Sequence, residues 1–431
     1  LSAHIPVAKA IRAESKTGTA WACFRLIKDL DAEMGKRGIS GIVVLGETTL
    51  ANPDLIYAAG GNLARGGIYF KRKGSKPLLL VSNLDVGTAR KLGVVPRIET
   101  YTQWGFEELI RKYCRMDEAM PRLISSVLRH EGVSGRVGLF GRSDLASGIH
   151  LANRLGSLGV KIVGGESPTI LEAARETKEK REIDEIRNVG RKTAEVVSET
   201  VEILSKMKRI RGHFQIGKRR ATIGLVKSMI LAKIANKGLI APEGTIFAIG
   251  SSSADPHNSG VSSDQITDGR LIVFDIFPQA ESGYWFDLTR TYVVGRAGPK
   301  AKHIFETVYE AQAASLDVLE AGITGEEAMF AACDVIERAG YNTVREVYEG
   351  RSKNVSSGFN HSLGHGVGLT IGERPNLSLM SKDPLKAGGV VTVEPGVYLP
   401  KYGGVRIEDT VQITRNGYEQ LANVDKELEI V

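Results

Sequence analysis

The stretch RLIVFDIFPQAESGYWFDLTRTYVVG, residues 270–295, decides how this chain is read. Its LIV is the apolar lead-in of a strand heading into a core. The strand nevertheless carries Asp275, and a second carboxylate, Asp287, follows a Gly-Tyr turn. An ionised carboxylate in an apolar setting is costly unless something positive meets it. Two of them close together also repel each other. Either both lie at the surface or a cation holds them.

The same signal recurs further along. Glu394 follows a β run in VVTVEPGVY and precedes the Pro-Gly break, and His365 lies in the glycine-rich HSLGHGVGL. In GVRIEDTVQI, period two puts Arg406 and Glu408 on one face, with Val405 and Ile407 on the other. Taken singly, each has a bland reading. A lone Asp ending a strand is usually a turn residue, a Glu before Pro-Gly is usually at the surface, and a His among glycines is as often hydrogen-bonded as ligating. Asp275, Asp287, His365, Glu394 and Glu408 in order, each at a strand end, make coincidence a poor explanation. Four carboxylates and one imidazole form a hard donor set. It suits Mn²⁺ or Co²⁺, with Zn²⁺ or Fe²⁺ also accommodated, as a pair of divalent ions rather than a structural thiolate zinc. Such a pair balances the clustered negative charge and supplies the chemistry of metal-assisted amide hydrolysis.

The bulk properties fit a globular chain of two domains. The 431 residues suffice for two, and 42% hydrophobic with 25% charged residues is an ordinary globular composition. No apolar run reaches the ~18 residues of a membrane helix. The opening LSAHIPVAKAIRAESK lacks the basic-then-apolar order of a signal peptide, so a cytoplasmic protein is expected. Cys23, Cys114 and Cys333 are odd in number and far apart, and read as neutral thiols rather than a disulfide framework. The net charge of +7 gathers in KRKGSK, residues 71–76, and KMKRIRGHFQIGKRR, residues 206–220. Without a zinc-finger, RNP or basic-zipper pattern, these read as solvated faces and not as a nucleic-acid surface.

Two regions differ in texture. Up to about residue 165, short apolar runs (GIVVLG, PLLLVS, GRVGLFG, VKIVGG) alternate with helical stretches such as RMDEAMPRLISSVLRHEG, which ends at Gly132. That alternation predicts a three-layer α/β domain with a mixed sheet. Gly164 and Gly165 break the chain; a long helical run to Met207 follows, with Ser167 as its expected N-cap, Pro168 in its first turn and a bend near 177–181. The expected domains are 1–175 and 176–431. The second should hold glycine-rich strands and two helices, over 300–320 and 326–339.

The motif series Asp275, GYWFDLTRT, GHGVGL, VEPGVY and VRIEDT resembles the pita-bread metallopeptidase family: methionine aminopeptidase, aminopeptidase P and prolidase. The first region is similar to the N-terminal domain of the prolidase, aminopeptidase P and creatinase branch. The resemblance implies a creatinase/prolidase-like α/β N-terminal domain and an α+β pita-bread catalytic domain. It implies hydrolysis of the N-terminal Xaa-Pro bond of dipeptides or short peptides, and a homodimer. It gives Asp275 one metal and His365 the other, with Asp287 and Glu408 bridging and Glu394 acting as ligand and general base. His257 and His361 would face the substrate and stabilise an oxyanion. Arg406 would orient Glu408 or meet a substrate carboxylate, and Thr289 would hydrogen-bond Asp287. Two departures stand out. The Asp275–Asp287 spacing is one residue longer than the family's usual one, an addition that falls in the turn PQAESG. Gly372 stands where the family usually has a second, substrate-contacting His. This leaves two alternatives: a related amide hydrolase with a non-peptide or N-acyl substrate, resembling ectoine hydrolase, and a catalytically silent pita-bread binding module.

Overall fold

The computed structural model describes residues 29–49, 51–165 and 167–431. Cys23 and the opening stretch lie outside the described residues.

Six strands form the first sheet: β1 (Gly41–Gly46), β2 (Gly67–Arg72), β3 (Leu78–Val81), β4 (Arg97–Thr100), β5 (Arg136–Gly141) and β6 (Lys161–Val163), in the order β4-β3-β2-β1-β5-β6. β1 runs antiparallel to β2 and parallel to β5, so the sheet is mixed. Period two explains its two covered faces. Ile42, Val44, Tyr69 and Leu79 join one core, while Val43, Ile68, Phe70 and Leu80 join the other. Helix α1 (Pro53–Ala59) covers the first face; α2 (Met116–His130) and α3 (Leu145–Ser157) cover the second.

The long helical run is two helices, α4 (Ile170–Arg175) and α5 (Lys180–Ser205). The cap differs from expectation. Thr169, not Ser167, caps α4, because Thr169 and Glu172 complete a reciprocal capping box that Ser167 cannot form. Ile170 and Leu171 belong to the first core, whereas Ile183 and Ile186 belong to the next. The connection between cores therefore falls in the bend between α4 and α5.

The basic run 206–220 forms an antiparallel meander, β7 (Lys208–Ile210), β8 (His213–Ile216) and β9 (Arg219–Arg220), with β7 and β9 exposed and β8 half-buried. The other basic run is not wholly solvated: Lys71 is buried, its ammonium 2.5 Å from Asp31. Helix α6 (Ile223–Asn236) and the short β10 (Leu239–Ile240) lead into a sheet of β11 (Thr245–Ile249), β12 (Leu271–Ile276), β14 (Leu288–Val294) and β22 (Glu429–Ile430). The segment between Asp275 and Asp287 turns back as a hairpin with its own short strand, β13 (Gln279–Ala280), and bridges Gln279 to Trp285. A second sheet has the order β16 (Ile371–Leu377), β15 (Gly364–Val367), β17 (Val390–Val393), β20 (Asp409–Thr414), β21 (Gly417–Gln420). A ribbon of β18 (Gly396–Leu399) and β19 (Gly403–Arg406) joins them. Helices α7 (Pro299–Asp317) and α8 (Gly325–Arg338) pack on the core beneath this sheet, close to the bounds expected for them.

Two contacts aim this framework at the site. A side chain at Gly190 in α5 would come within 2.4 Å of the Phe286 ring, so the glycine lets α5 press on the residue just before Asp287. Buried Gln312 in α7 donates through Nε2 to Val393 O (2.9 Å) and Ile407 O (3.2 Å), the carbonyls immediately before Glu394 and Glu408.

Candidate metal centre

Two sheets and the loops between their strands supply the cluster. Asp275 lies in β12 opposite Thr289 in β14, and Asp287 immediately precedes β14. The Asp287 carbonyl accepts from Thr410 Oγ1 at 2.7 Å, tying the hairpin to β20. His365 in β15 donates its N–H to Thr392 Oγ1 (3.0 Å), and the same hydroxyl lies 3.2 Å from Glu394 Oε1. Glu408, between β19 and β20, donates its N–H to Thr289 O at 3.0 Å. Ligand atoms of Asp287, His365 and Glu408 all lie within 4.8 Å of one another. His365 Nε2 is 3.4 Å from Glu394 Oε1 and 3.7 Å from Asp287 Oδ2. All five residues singled out in the sequence thus meet in one place.

Asp275, Asp287 and Glu408 are buried, at 7%, 5% and 1% exposure. Each has one carboxylate oxygen with no hydrogen-bond partner: Asp275 Oδ1, Asp287 Oδ1 and Glu408 Oε1. Buried oxygens of this kind are costly unless a cation or another hydrogen-bond or ligand partner meets them. Burial, and then the neighbouring carboxylates, hold the Asp287 and Glu408 carboxyls well above the usual range. Burial pushes Glu394 up to about 7. One guanidinium cannot neutralise such a group. The donor set, hard oxygens with one imidazole, fits divalent cations.

Arg406 is buried at 3% exposure, and its fork is spent on the protein. Nη2 donates to Asp275 Oδ2 (2.5 Å), Nη1 to Tyr398 Oη (2.8 Å) and Pro256 O (3.2 Å), and Nε to Thr289 Oγ1 (3.2 Å). It reaches Glu408 only through Thr289, so the geometry favours a role in orienting Asp275. Thr289 also departs from expectation: its hydroxyl donates to Glu408 Oε2 at 2.7 Å instead of to Asp287. In a β-ladder Thr289 faces the same way as Asp275, across from the β19–β20 turn, and Glu408 is what that turn brings to it.

His361 lies 2.9 Å from Tyr398 Oη through Nε2 and 2.7 Å from Ser362 O through Nδ1. Tyr398 accepts from Arg406 and so donates its proton to His361 Nε2, which puts the ring proton on Nδ1. Burial, with Arg406 beside it, lowers the imidazole to about 3. Both ring nitrogens are occupied, so His361 can face a substrate only by giving one up. His257 is different. It sits exposed on the turn after Asp255, and among the described residues its ring has no hydrogen-bond partner. The Arg406–Pro256 bond ties that turn to the cluster. At Gly372, φ is +78° and nothing lies within 4 Å of where a Cβ would be, so the position expected for a second His is open space.

Sequence reasoning passed over Tyr398, Thr392, Arg290 and Asp409. Arg290 is buried, donating to Glu408 O (2.6 Å) and Asp409 Oδ1 (2.7 Å), and Lys426 meets Asp409 Oδ2 at 2.7 Å. The signal that found Asp275, a charge inside an apolar strand, was also present at Arg290 in DLTRTYVV. Tyr398 and Thr392 carried no such signal, being ordinary strand residues.

Two sheets converging on one carboxylate–imidazole cluster, with an α/β unit ahead of them, are the architecture of a pita-bread hydrolase. Residues 184–415 match the family model described as metallopeptidase family M24. The Xaa-Pro dipeptidase of Pyrococcus horikoshii is 30% identical over 416 residues, covering 93% of this chain and 98% of that one. The chain belongs to metallopeptidase family M24. An Xaa-Pro dipeptidase of Pyrococcus furiosus is 43% identical over 185 residues, 43% of this chain and 48% of that one. Among solved structures, an Xaa-Pro dipeptidase from Bacillus anthracis superposes with TM-score 0.73 at 25% identity, covering 94% and 99% of the two chains. The prolidase from Pyrococcus horikoshii gives 0.69 at 27%, again covering 94% and 99%. The chain is a metallopeptidase that uses divalent metal ions, and neither the N-acyl hydrolase nor the silent-module alternative is favoured. Among the described residues no helix is long and apolar enough to cross a membrane.

Proposed function

We infer that this chain hydrolyses the bond between the first residue and a following proline in dipeptides or short peptides. The observation that carries this reading is the cluster of four carboxylates and one imidazole, in which Asp275, Asp287 and Glu408 are buried and each keeps an unpartnered oxygen. We assign Asp275 and His365 to one metal each, Asp287 and Glu408 to both, and Glu394 to a ligand that doubles as proton acceptor. Mn²⁺ or Co²⁺ suits these donors best, with Zn²⁺ or Fe²⁺ also able to bind. When bound, two such ions supply Lewis-acid polarisation of a carbonyl and of water.

The chain's own groups do the rest. Glu394 Oε1 is held by Thr392, which leaves Oε2 to take a proton. Arg406 fixes Asp275, and Thr289 fixes Glu408. His257, with its ring open to solvent, is the better placed donor to a developing oxyanion, and His361 stands behind it as a neutral ring. We further propose domains at 1–175 and 176–431, a homodimer, and a cytoplasmic location.

The experiment is metal content by mass spectrometry together with hydrolysis of an Xaa-Pro dipeptide and a longer Xaa-Pro peptide in Mn²⁺ or Co²⁺. Two bound metals and cleavage are expected, and the preferred length separates dipeptidase from aminopeptidase. Two metals without cleavage would overturn the substrate and point to the open space at Gly372. No metal under any loading condition would overturn the site.

A further inference from the structure

The joint between the two units holds a buried ion network that the chemistry above does not use. Glu373 in β16 is 8% exposed. Its carboxylate lies 2.8 Å from Lys178 Nζ and 3.5 Å from Arg175 Nε, and accepts from Thr370 Oγ1 at 3.3 Å. Arg175 continues through Nη1 to Asp54 Oδ1, 2.5 Å away on α1 of the first unit. Lys178 is pinned as well, its N–H donating to Gly388 O at 2.8 Å. Gly368 makes room for the carboxylate: a Cβ there would lie 2.1 Å from Glu373 Oε1. Two acids and two bases alternate, so the buried members Glu373, Arg175 and Lys178 each face an opposite charge. Removing one member leaves another uncompensated in a dry setting.

The network ends beside the metal centre. Glu373 is the Cα partner of Gly366, the residue after His365. The Gly366 carbonyl lies 3.1 Å from His365 Nδ1, and the N–H of Gly372, next to Glu373, lies 3.3 Å from the same nitrogen. With Nε2 turned to the cluster, Nδ1 carries the ring proton and donates to Gly366 O, so the group that sets the angle of the imidazole belongs to the ribbon that Glu373 anchors. That ribbon shifts register at Gly364/Gly366 and again at Gly366/Val367. Its ladder of backbone bonds is interrupted where His365 sits, so a side-chain anchor has to fix what the ladder does not.

We propose that Glu373 is a positioning residue. Through Lys178, Arg175 and Asp54 it makes the aim of His365 Nε2 depend on how the first unit docks against the catalytic one. The proposal rests on the metal-site reading above. Groups that hold a ligand in place are typically worth about 10–100-fold in metal affinity, and Glu373 should fall in that range.

The test is calorimetric titration of metal-free full-length protein with Mn²⁺, with far-UV circular dichroism and unfolding midpoints on each sample. It compares wild type, Glu373→Gln, Asp54→Asn and Lys386→Gln. The last removes the separate Lys386–Glu176 pair at the same joint. Glu373→Gln should weaken Mn²⁺ binding about 10–100-fold with native secondary structure kept. Asp54→Asn, remote from the metal, should weaken it several-fold, and Lys386→Gln should leave it within about twofold of wild type. A Glu373→Gln/Asp54→Asn double variant should fall short of the product of the single effects, because Asp54 reaches His365 only through Arg175 and Glu373. A folded Glu373→Gln that binds Mn²⁺ like wild type overturns the proposal. So does a Lys386→Gln loss as large as that of Glu373→Gln, which would mark a general loosening of the joint. If Glu373→Gln does not fold, Asp54→Asn decides: unchanged Mn²⁺ affinity there overturns the proposal. A wild type that takes up no Mn²⁺ overturns the metal-site reading itself.

Discussion

Replacing Glu394 by Gln should remove the pH dependence of one part of this protein's stability. In the metal-free protein the Glu394 carboxyl is pushed from 4.5 up to about 7, first by burial and then by the charge of Asp275. A raised folded value means the folded protein holds the proton more tightly than the unfolded chain does. That stabilisation is complete below 4.5 and is lost as pH rises through 7. At about 1.4 kcal/mol per unit, the carboxyl should cost the chelated wild type about 2.5 kcal/mol between pH 5 and pH 8. Gln has the same shape and nothing to titrate. The stability of Glu394→Gln relative to wild type should therefore rise by at least that amount, because His361 cancels while Asp287 and Glu408, which the Glu394 charge helps to hold high, are relieved in the variant. Urea unfolding in EDTA at several pH values measures it. Saturating Mn²⁺ should reverse the order, since a ligand at 100 times its Kd adds about 2.7 kcal/mol to the folded state, and the Gln variant has lost a ligand. A difference that stays flat with pH in EDTA would refute the burial argument. An order that Mn²⁺ leaves unchanged would refute the metal assignment.

Three further outcomes are expected. Asp287→Ala should abolish bound metal and activity while far-UV circular dichroism stays native; hydrolysis at the wild-type rate would sink the site. Tyr398→Phe removes the hydroxyl between Arg406 and His361 and should cost about 1–3 kcal/mol in unfolding free energy, the cost of leaving buried polar groups unpaired, and lower kcat more than it raises KM. His361, held near 3 by burial and Arg406, should show ring proton shifts that stay flat by NMR from about pH 5 to pH 8. A midpoint in that range would mean the Tyr398–His361–Ser362 chain is wired differently.

Much of the site was legible because a buried charge violates a local rule. Asp275, Asp287, Glu394 and Glu408 interrupt apolar strands, and period two put Arg406 and Glu408 on one face before any fold was known. The mixed sheet of the first unit was legible from short apolar runs alternating with helical stretches. The capping residue of α4 was not, because Thr169 wins by a reciprocal bond with Glu172 that Ser167 cannot make. Thr289 and Arg406 were legible as site residues but not as to partner. Period two gives the face of a strand, and only the crossing of β12, β14 and the β19–β20 turn decides which carboxylate that face meets.

The sequence by itself therefore determined which residues carry charge into the core, their order, and the chemistry such donors share. Local periodicity and desolvation cost act within a few residues, and both can be read along the chain. The tertiary structure alone decided that Arg406 serves Asp275 and that Tyr398 fixes His361. It also decided that Glu373 ties the first unit to the ribbon bearing His365. Those pairings join residues more than a hundred positions apart, as in the separation of 131 between Asp275 and Arg406, or sit on different strands whose crossing is set by packing. Nothing local to either partner encodes the distance between them.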